Sequence, residues 1–286
     1  MATNSKGKIE ITDLDFDTVK SNFQTFLSQQ SQFTDYNFEG SGMSVLMDLL
    51  AYNTHYLAFH ANMLANEMFL DSTLTRASAV SHAKSLGYTP SSMRSSNATV
   101  NISVSNVPTS QLTLVMSAGT VFTTNVNDIA YQFVTIADHT ASSDTGIFQF
   151  SDIKIYEGTR VNYTYTVDST NLEQQFIIPS ATVDTSTLVV KVQNSVSDTT
   201  TTTYTLNTDY TNLLSTSTKY FLQEVEDGRF DVYFGDGVSG KKPVYGNIIT
   251  LSYVVTNGDD ADGASAFVAD STIGGYSSIS VVTVYV

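Results

Sequence analysis

Ser44-Val45-Leu46-Met47-Asp48-Leu49-Leu50-Ala51-Tyr52-Asn53-Thr54-His55-Tyr56-Leu57-Ala58-Phe59-His60-Ala61-Asn62-Met63-Leu64-Ala65-Asn66-Glu67-Met68-Phe69-Leu70 is the stretch that decides the fold. Its apolar residues recur at helical spacing, and its twenty-seven residues would span roughly 40 Å at ~1.5 Å each. Met43, Leu46, Met47, Leu50, Leu57, Leu64 and Met68 form one stripe. Val45, Leu49, Tyr52, Tyr56, Phe59, Met63 and Phe69 spread apolar character over the rest of the circumference. A helix that is apolar nearly all round has to be covered on all sides. A membrane does not suit it, because Asn53, His55, His60, Asn62 and Asn66 would be costly in hydrocarbon.

The flanking segments supply two shorter helices. Asp13 or Asp15 caps the first, whose Phe16, Val19, Phe23, Phe26 and Leu27 share a face. Turn formers over 34–42 separate it from the long helix. Asp71 and Ser72 break and recap the chain. A third helix, with Leu74, Ala77, Val80 and Ala83 inward, ends at Gly87 before Tyr88 and Pro90. Two short companions cannot cover the long helix. Either the rest of the chain packs over the remainder or another chain does.

The character of the chain changes near Ser95. Residues 1–95 hold six basic and nine acidic residues, and residues 96–286 hold seven and nineteen. Thirty of the thirty-nine threonines, which suit strands, fall after Ser95. Short alternating runs follow at 98–104, 111–116, 121–124, 129–136, 153–156, 160–167, 175–178, 188–193, 202–206, 220–224, 230–234, 248–255 and 278–286. The Thr-rich residues 197–203 read as a hairpin tip. The expectation is an α+β chain: a helical bundle-forming domain over 1–95, then two mainly antiparallel all-β units over 96–179 and 180–286. Residues 91–97 form the expected linker, and the strand pattern at 280–286 is expected to continue beyond the end of the chain.

Composition excludes several functions. Thirteen basic against twenty-eight acidic residues give a formal charge of −15, which opposes nucleic-acid and anionic-membrane partners. There is no Cys, so disulfide frameworks, thiolate nucleophiles and cysteine-ligated metals are absent. The chain is expected to be made in a reducing cytoplasm.

No catalytic constellation emerges. His55 and His60 are five apart, about 140° around a helix, and cannot share a metal; His82 lies on the third helix and His139 in a β-loop. Gly237-Val238-Ser239-Gly240 lacks the second spacer of a nucleophile elbow. In the Asp-rich run 257–263, taking Gly263 as the sixth position of a calcium loop puts Ala269 where glutamate is required. Glu224, Glu226, Asp227, Asp231 and Asp236 cluster around a turn, where solvated charges are expected. No cofactor and no metal is expected. In Phe234-Gly235-Asp236-Gly237 with Gly240 and Gly246, the glycines supply positive φ and close backbone approach. Asp236 is expected to bond the amides of its own turn.

That turn and the helical half carry a resemblance. Residues 38–52 (Phe-Glu-Gly-Ser-Gly-Met-Ser-Val-Leu-Met-Asp-Leu-Leu-Ala-Tyr), 65–71 (Ala-Asn-Glu-Met-Phe-Leu-Asp) and 83–90 (Ala-Lys-Ser-Leu-Gly-Tyr-Thr-Pro) make up its first part. Phe234-Gly235-Asp236-Gly237 with Gly240, Gly246, Tyr253 and Gly258 makes up its second. Together they resemble the baseplate wedge proteins of contractile-tailed bacteriophages, the baseplate J-like family, and within it the large wedge subunits of T4-like phages. The resemblance implies a non-enzymatic virion component in which two copies join a third wedge protein through a bundle of N-terminal helices. It implies further contacts that close a ring around the hub, near sheath-initiating and hub-proximal proteins, and that relay the trigger for sheath contraction. The residues expected in the bundle interface are Met43, Leu46, Met47, Leu50, Tyr56, Leu57, Phe59, Met63, Leu64, Met68 and Phe69. Two readings compete with it: a carbohydrate-binding tail adhesin using the sixteen tyrosines, and a glycosidase using scattered carboxylates.

Overall fold

A computed structural model describes residues 2–3, 9–10, 15–30, 32, 41–171, 174–208 and 213–285. The turn formers at 34–40 and the alternative cap Asp13 lie outside the described residues, as does the side chain of Glu226. The fold is α+β, with three N-terminal helices followed by β-sheets, and it divides into two compact units, Met1–Thr89 and Pro90–Val286.

The helical unit begins with a two-residue antiparallel pair, β1 (Ala2–Thr3) and β2 (Ile9–Glu10). Three helices follow: α1 (Phe16–Ser28), α2 (Gly42–Glu67) and α3 (Arg76–Ser85). Each starts on a side-chain oxygen that accepts an otherwise orphaned amide. Asp15 accepts from Thr18 N, Ser41 from Ser44 N and Thr75 from Ser78 N. Lys20 of α1 pairs with Asp48 of α2 at 2.6 Å.

α2 stops three residues short of the expected Leu70, because polar side chains there capture the backbone. Asn66 Nδ2 donates to Asn62 O at 2.7 Å and Ser72 Oγ to Asn66 O at 2.9 Å. α3 ends as expected at Gly87, with φ +75°, through paired bonds from Gly87 N to Lys84 O and Tyr88 N to Ala83 O. Side chains expected on the shared helix faces are exposed at Phe26 of α1 and at Leu74, which lies before α3. Ala77 is exposed as well, while Val80 and Ala83 are half-buried.

Among the described residues, the β unit holds fourteen strands: β3 (Asn97–Val104), β4 (Thr113–Met116), β5 (Val121–Val126), β6 (Ile129–Val134), β7 (His139–Ser142), β8 (Phe148–Glu157), β9 (Thr159–Thr166), β10 (Val183–Gln193), β11 (Thr201–Leu206), β12 (Lys219–Glu224), β13 (Phe230–Phe234), β14 (Ile248–Val255), β15 (Val268–Ala269) and β16 (Ile279–Tyr285). One sheet runs β15-β5-β6-β8-β3-β16 and is antiparallel throughout. The other runs β13-β12-β11-β10-β14-β9, with only β11 and β12 parallel. β4 and β7 form a separate pair. Phe122, Phe133, Phe148, Ile102 and Ile155 centre one core. Ile178, Val190, Phe230, Val232, Ile249 and Leu251 centre the second.

The sheets do not divide the chain at 179/180. β9 belongs with the later strands, and β15 and β16 return to the earlier sheet. The chain changes sheets between β8 and β9 at Gly158, whose φ is +119° and where an added Cβ would sit 2.1 Å from Val255 O. Only glycine fits so close an approach.

Bulges account for two strands that exceed their sequence pattern. β8 inserts Asp152 at φ +54°, its amide donating to Asn101 Oδ1 at 2.9 Å. Inward residues therefore switch from Phe148 and Phe150 to Ile153 and Ile155, and the alternation breaks. In β10 the register shifts between Asp184 and Val189. Residues 175–178, expected as a strand, form one isolated bridge to Asp231, because the Asp231 carboxylate accepts the Phe176 amide at 3.0 Å. His139 lies in β7 rather than in a loop.

Candidate functional site

α2 is turned inside out relative to an ordinary amphipathic helix. Its buried residues are Ser44, Met47, Ala51, Ala58, Asn62, Ala65 and Asn66, a stripe of mostly small and polar side chains at helical spacing. Its large apolar residues face outward. Leu50 is 46% exposed, Leu57 61% and Leu64 68%. Leu46, Tyr56, Phe59, Met63, Met68 and Phe69 are exposed with them. Of the eleven residues expected at an interface, Met43 is half-buried and Met47 is buried. Met47 lies three residues beyond Ser44 and four before Ala51, on the inward stripe, so it is not available to a neighbour. Val45, Leu49 and Tyr52 are exposed and extend the same surface.

The aromatic part of this surface is organised along the helix axis. Tyr52 and Tyr56 have ring centroids 4.9 Å apart, Tyr56 and His60 6.1 Å, and Phe59 and His60 5.7 Å. Tyr52, Tyr56 and His60 are each four residues apart, so their tilted rings follow one another along the helix, and Phe59 meets His60 edge-on beside them. His55 and His60 take part in ring contacts with Tyr56, and no cluster of metal-ligating side chains exists among the described residues.

The end of α2 is fixed by Glu67. Its carboxylate accepts from Thr73 Oγ1 and Thr75 Oγ1, both at 2.8 Å, and from the amides of Leu74 at 3.0 Å and Thr75 at 3.2 Å. The hydroxyls of Ser78, Thr75 and Thr73 and the Leu74 amide all favour the ionised form, and hold its pKa down to about 2. His82 Nε2 of α3 lies 2.9 Å from Glu67 O, so the α2–α3 connection closes on this one residue.

In the β unit, Gly235 and Gly240 approach so closely that a Cβ on Gly235 would sit 2.4 Å from the Gly240 carbonyl carbon. Gly237 N donates to Gly240 O at 3.0 Å, and Gly246 N to Val167 O at 3.1 Å. Asp236 Oδ1 accepts from Val238 N and Ser239 N at 2.9 and 2.7 Å, and these bonds lower its pKa. The residues of this motif act on backbone conformation.

Of the neighbouring acidic residues, Asp227 is exposed in the turn as expected, and two others are not solvated. Glu224 is buried and Asp231 half-buried. Burial pushes the Asp231 carboxyl up, against the bonds it receives from Phe176 and Val232. The reason is strand register: Glu224 stands opposite Phe230 within the β12–β13 ladder rather than in the turn.

Two buried carboxylates were not singled out by sequence. Glu157 accepts from Thr256 Oγ1 at 2.5 Å, Asn257 N at 3.0 Å and Asn257 Nδ2 at 2.8 Å. Asp184 accepts from the amides and hydroxyls of Ser95 and Ser186. They pin the segment expected to be a free linker and the two passages between sheets. No local motif marks them, since their partners lie up to 100 residues away.

The sequence of the helical segment is similar to a known family. Residues 15–88 fit the family described as baseplate wedge protein gp6-like, helical domain. That match runs from the α1 cap to the residue that closes α3. One relative is baseplate wedge protein gp6 of Enterobacteria phage T4, to which the chain is 29% identical over 273 residues. The alignment covers 88% of this chain and 40% of that protein, so the chain spans well under half the length of the curated relative it matches.

Proposed function

We propose that this chain is a structural, non-enzymatic component of a phage tail baseplate wedge. In this reading α2 is the surface on which the wedge is built. A second copy and another wedge protein cover Leu46, Leu50, Leu57 and Leu64 on one side and Tyr52, Tyr56 and Phe59 on the other. The carrying observation is the inversion of α2, which buries alanine and serine and leaves leucine and tyrosine outside. Covering such side chains stabilises an assembly by about 1.5–3 kcal/mol for each one fully buried. The likeness of residues 15–88 to the helical domain of gp6-like wedge proteins supports the same reading.

Contacts that close a ring around the hub, reach sheath-initiating and hub-proximal proteins and relay the contraction trigger extend this proposal. So does assembly in the host cytoplasm before incorporation into the virion. Co-expression of the chain with the other wedge proteins of its virion tests the reading. Co-elution in one complex, with α2 protected from protease only in that complex, is the expected result. A monodisperse monomer whose α2 resists protease unaided would overturn it.

A further inference from the structure

Beside the crossing at Gly158 the β unit holds a chemically labile dipeptide. Asn257-Gly258 is the one Asn-Gly pair in the chain. In such a pair no side chain shields the glycine nitrogen from the asparagine amide. Once Gly258 N has lost its proton it can attack Asn257 Cγ. The new C–N bond closes a succinimide ring, the Cγ–Nδ2 bond breaks, and ammonia leaves with that proton. Water then opens the ring to aspartate or isoaspartate. The attack needs the two atoms close and aligned, so whatever fixes them otherwise slows it.

Both residues are required where they stand. Gly258 sits at φ +81°, where a side chain is strained. Asn257 Nδ2 donates to Glu157 Oε1 at 2.8 Å, and Glu157 is buried, so the carboxylate depends on its donors. The fold also holds both reacting groups. One carboxylate grips Asn257 at two points, through Nδ2 and through its backbone amide at 3.0 Å. Gly258 N donates to Thr256 Oγ1 at 3.0 Å, and that hydroxyl donates in turn to Glu157 Oε2 at 2.5 Å. The Gly258 carbonyl accepts from Ser96 N at 3.1 Å and Ser96 Oγ at 3.0 Å. Ring closure has to break the Gly258–Thr256 bond and the side-chain bond of Asn257. A carboxylate one hydroxyl away also disfavours the anion that the glycine amide must become.

We propose that Asn257 is a deamidation site that the Glu157–Thr256 clamp holds in its amide form. Either product sets a carboxylate where Asn257 Nδ2 stood, which removes a donor from Glu157 and opposes it with like charge. An opening of the crossing long enough for ring closure is thereby written into the covalent structure, and a chain that has reacted does not re-form the same clamp.

Peptide mapping by mass spectrometry of the full chain, aged in mildly alkaline buffer with and without denaturing urea, tests it. Asn257 should convert in urea and at least about tenfold more slowly in the folded chain, since the reaction follows the open population. The mass change separates loss of the amide from isomerisation at the Asp-Gly pairs 227–228, 236–237 and 262–263, which leaves mass unchanged. Thr256→Val releases Gly258 N and Glu157→Ala releases Asn257. Each variant that circular dichroism shows to be folded should deamidate several-fold faster than the parent. In the parent alone, deamidation and hydrogen exchange at Asn257 N should rise together as urea is raised below the unfolding transition. A parent that reacts as fast folded as unfolded, folded variants no faster than the parent, or exchange that quickens while deamidation stays unmoved would each overturn the proposal.

Discussion

Leu57→Asp separates the two jobs a leucine on a long helix can do. With 61% of its surface exposed, Leu57 contributes little to the isolated chain. The substitution should change its stability by about 0.5 kcal/mol, from helix propensity alone. Under a partner the arithmetic changes. Covering the exposed three-fifths of a leucine is worth about 1–2 kcal/mol, or roughly five- to thirtyfold in affinity. A carboxylate shut in the same place costs several kcal/mol more, so association should fall by more than about a hundredfold.

Ala51→Asp is the counterpart. Ala51 is fully buried, so a charge there should unfold the helical unit outright. Thermal unfolding by circular dichroism, paired with co-purification of the wedge proteins, reads both effects. A Leu57→Asp chain that melts several degrees lower would place Leu57 in a core. A chain that melts normally and still co-purifies would place it on an uncovered surface, and either result refutes the reasoning.

Gly235→Ala should lower stability by a few kcal/mol, since the new Cβ would meet the Gly240 backbone at 2.4 Å; urea unfolding of the variant checks it. Glu157→Ala strips one buried and two partly buried donors of their acceptor and should cost about 2 kcal/mol, a fall of several degrees in Tm by calorimetry. Glu67 is held ionised in the folded chain, with a pKa of about 2 against 4.5 ordinarily. Its bonds are therefore fully present above about pH 4.5 and are lost as pH falls toward 2. Protection of Leu74 N and Thr75 N against hydrogen exchange, relative to the intrinsic rate at each pH, should fall across that window in the parent and stay level in Glu67→Gln. Flat protection from pH 5 to about 2 in the parent would remove the carboxylate's role.

The sequence by itself determined the α+β class, the three helices and most strands. Those features are written in local terms: a capping Asp15, a closing Gly87, and alternation along 230–234 and 248–255. The sequence also exposed the excess of apolar side chains on α2, since periodicity shows how much grease a helix carries. Periodicity does not show which side is covered, and there the tertiary structure decided: the inward stripe runs through Ser44, Met47, Ala51 and Ala58 and takes Met47 out of the exposed set. Strand sharing between the sheets depends on a chain crossing at Gly158 and on buried Glu157 and Asp184. Glu157 finds its partners in Thr256 and Asn257 and Asp184 one of its two in Ser95, about ninety to a hundred residues away, so no window of neighbouring residues contains these pairings. Bulges at Asp152 and beyond Asp184 hid parts of β8 and β10, because one extra residue reverses the alternation by which a strand is recognised.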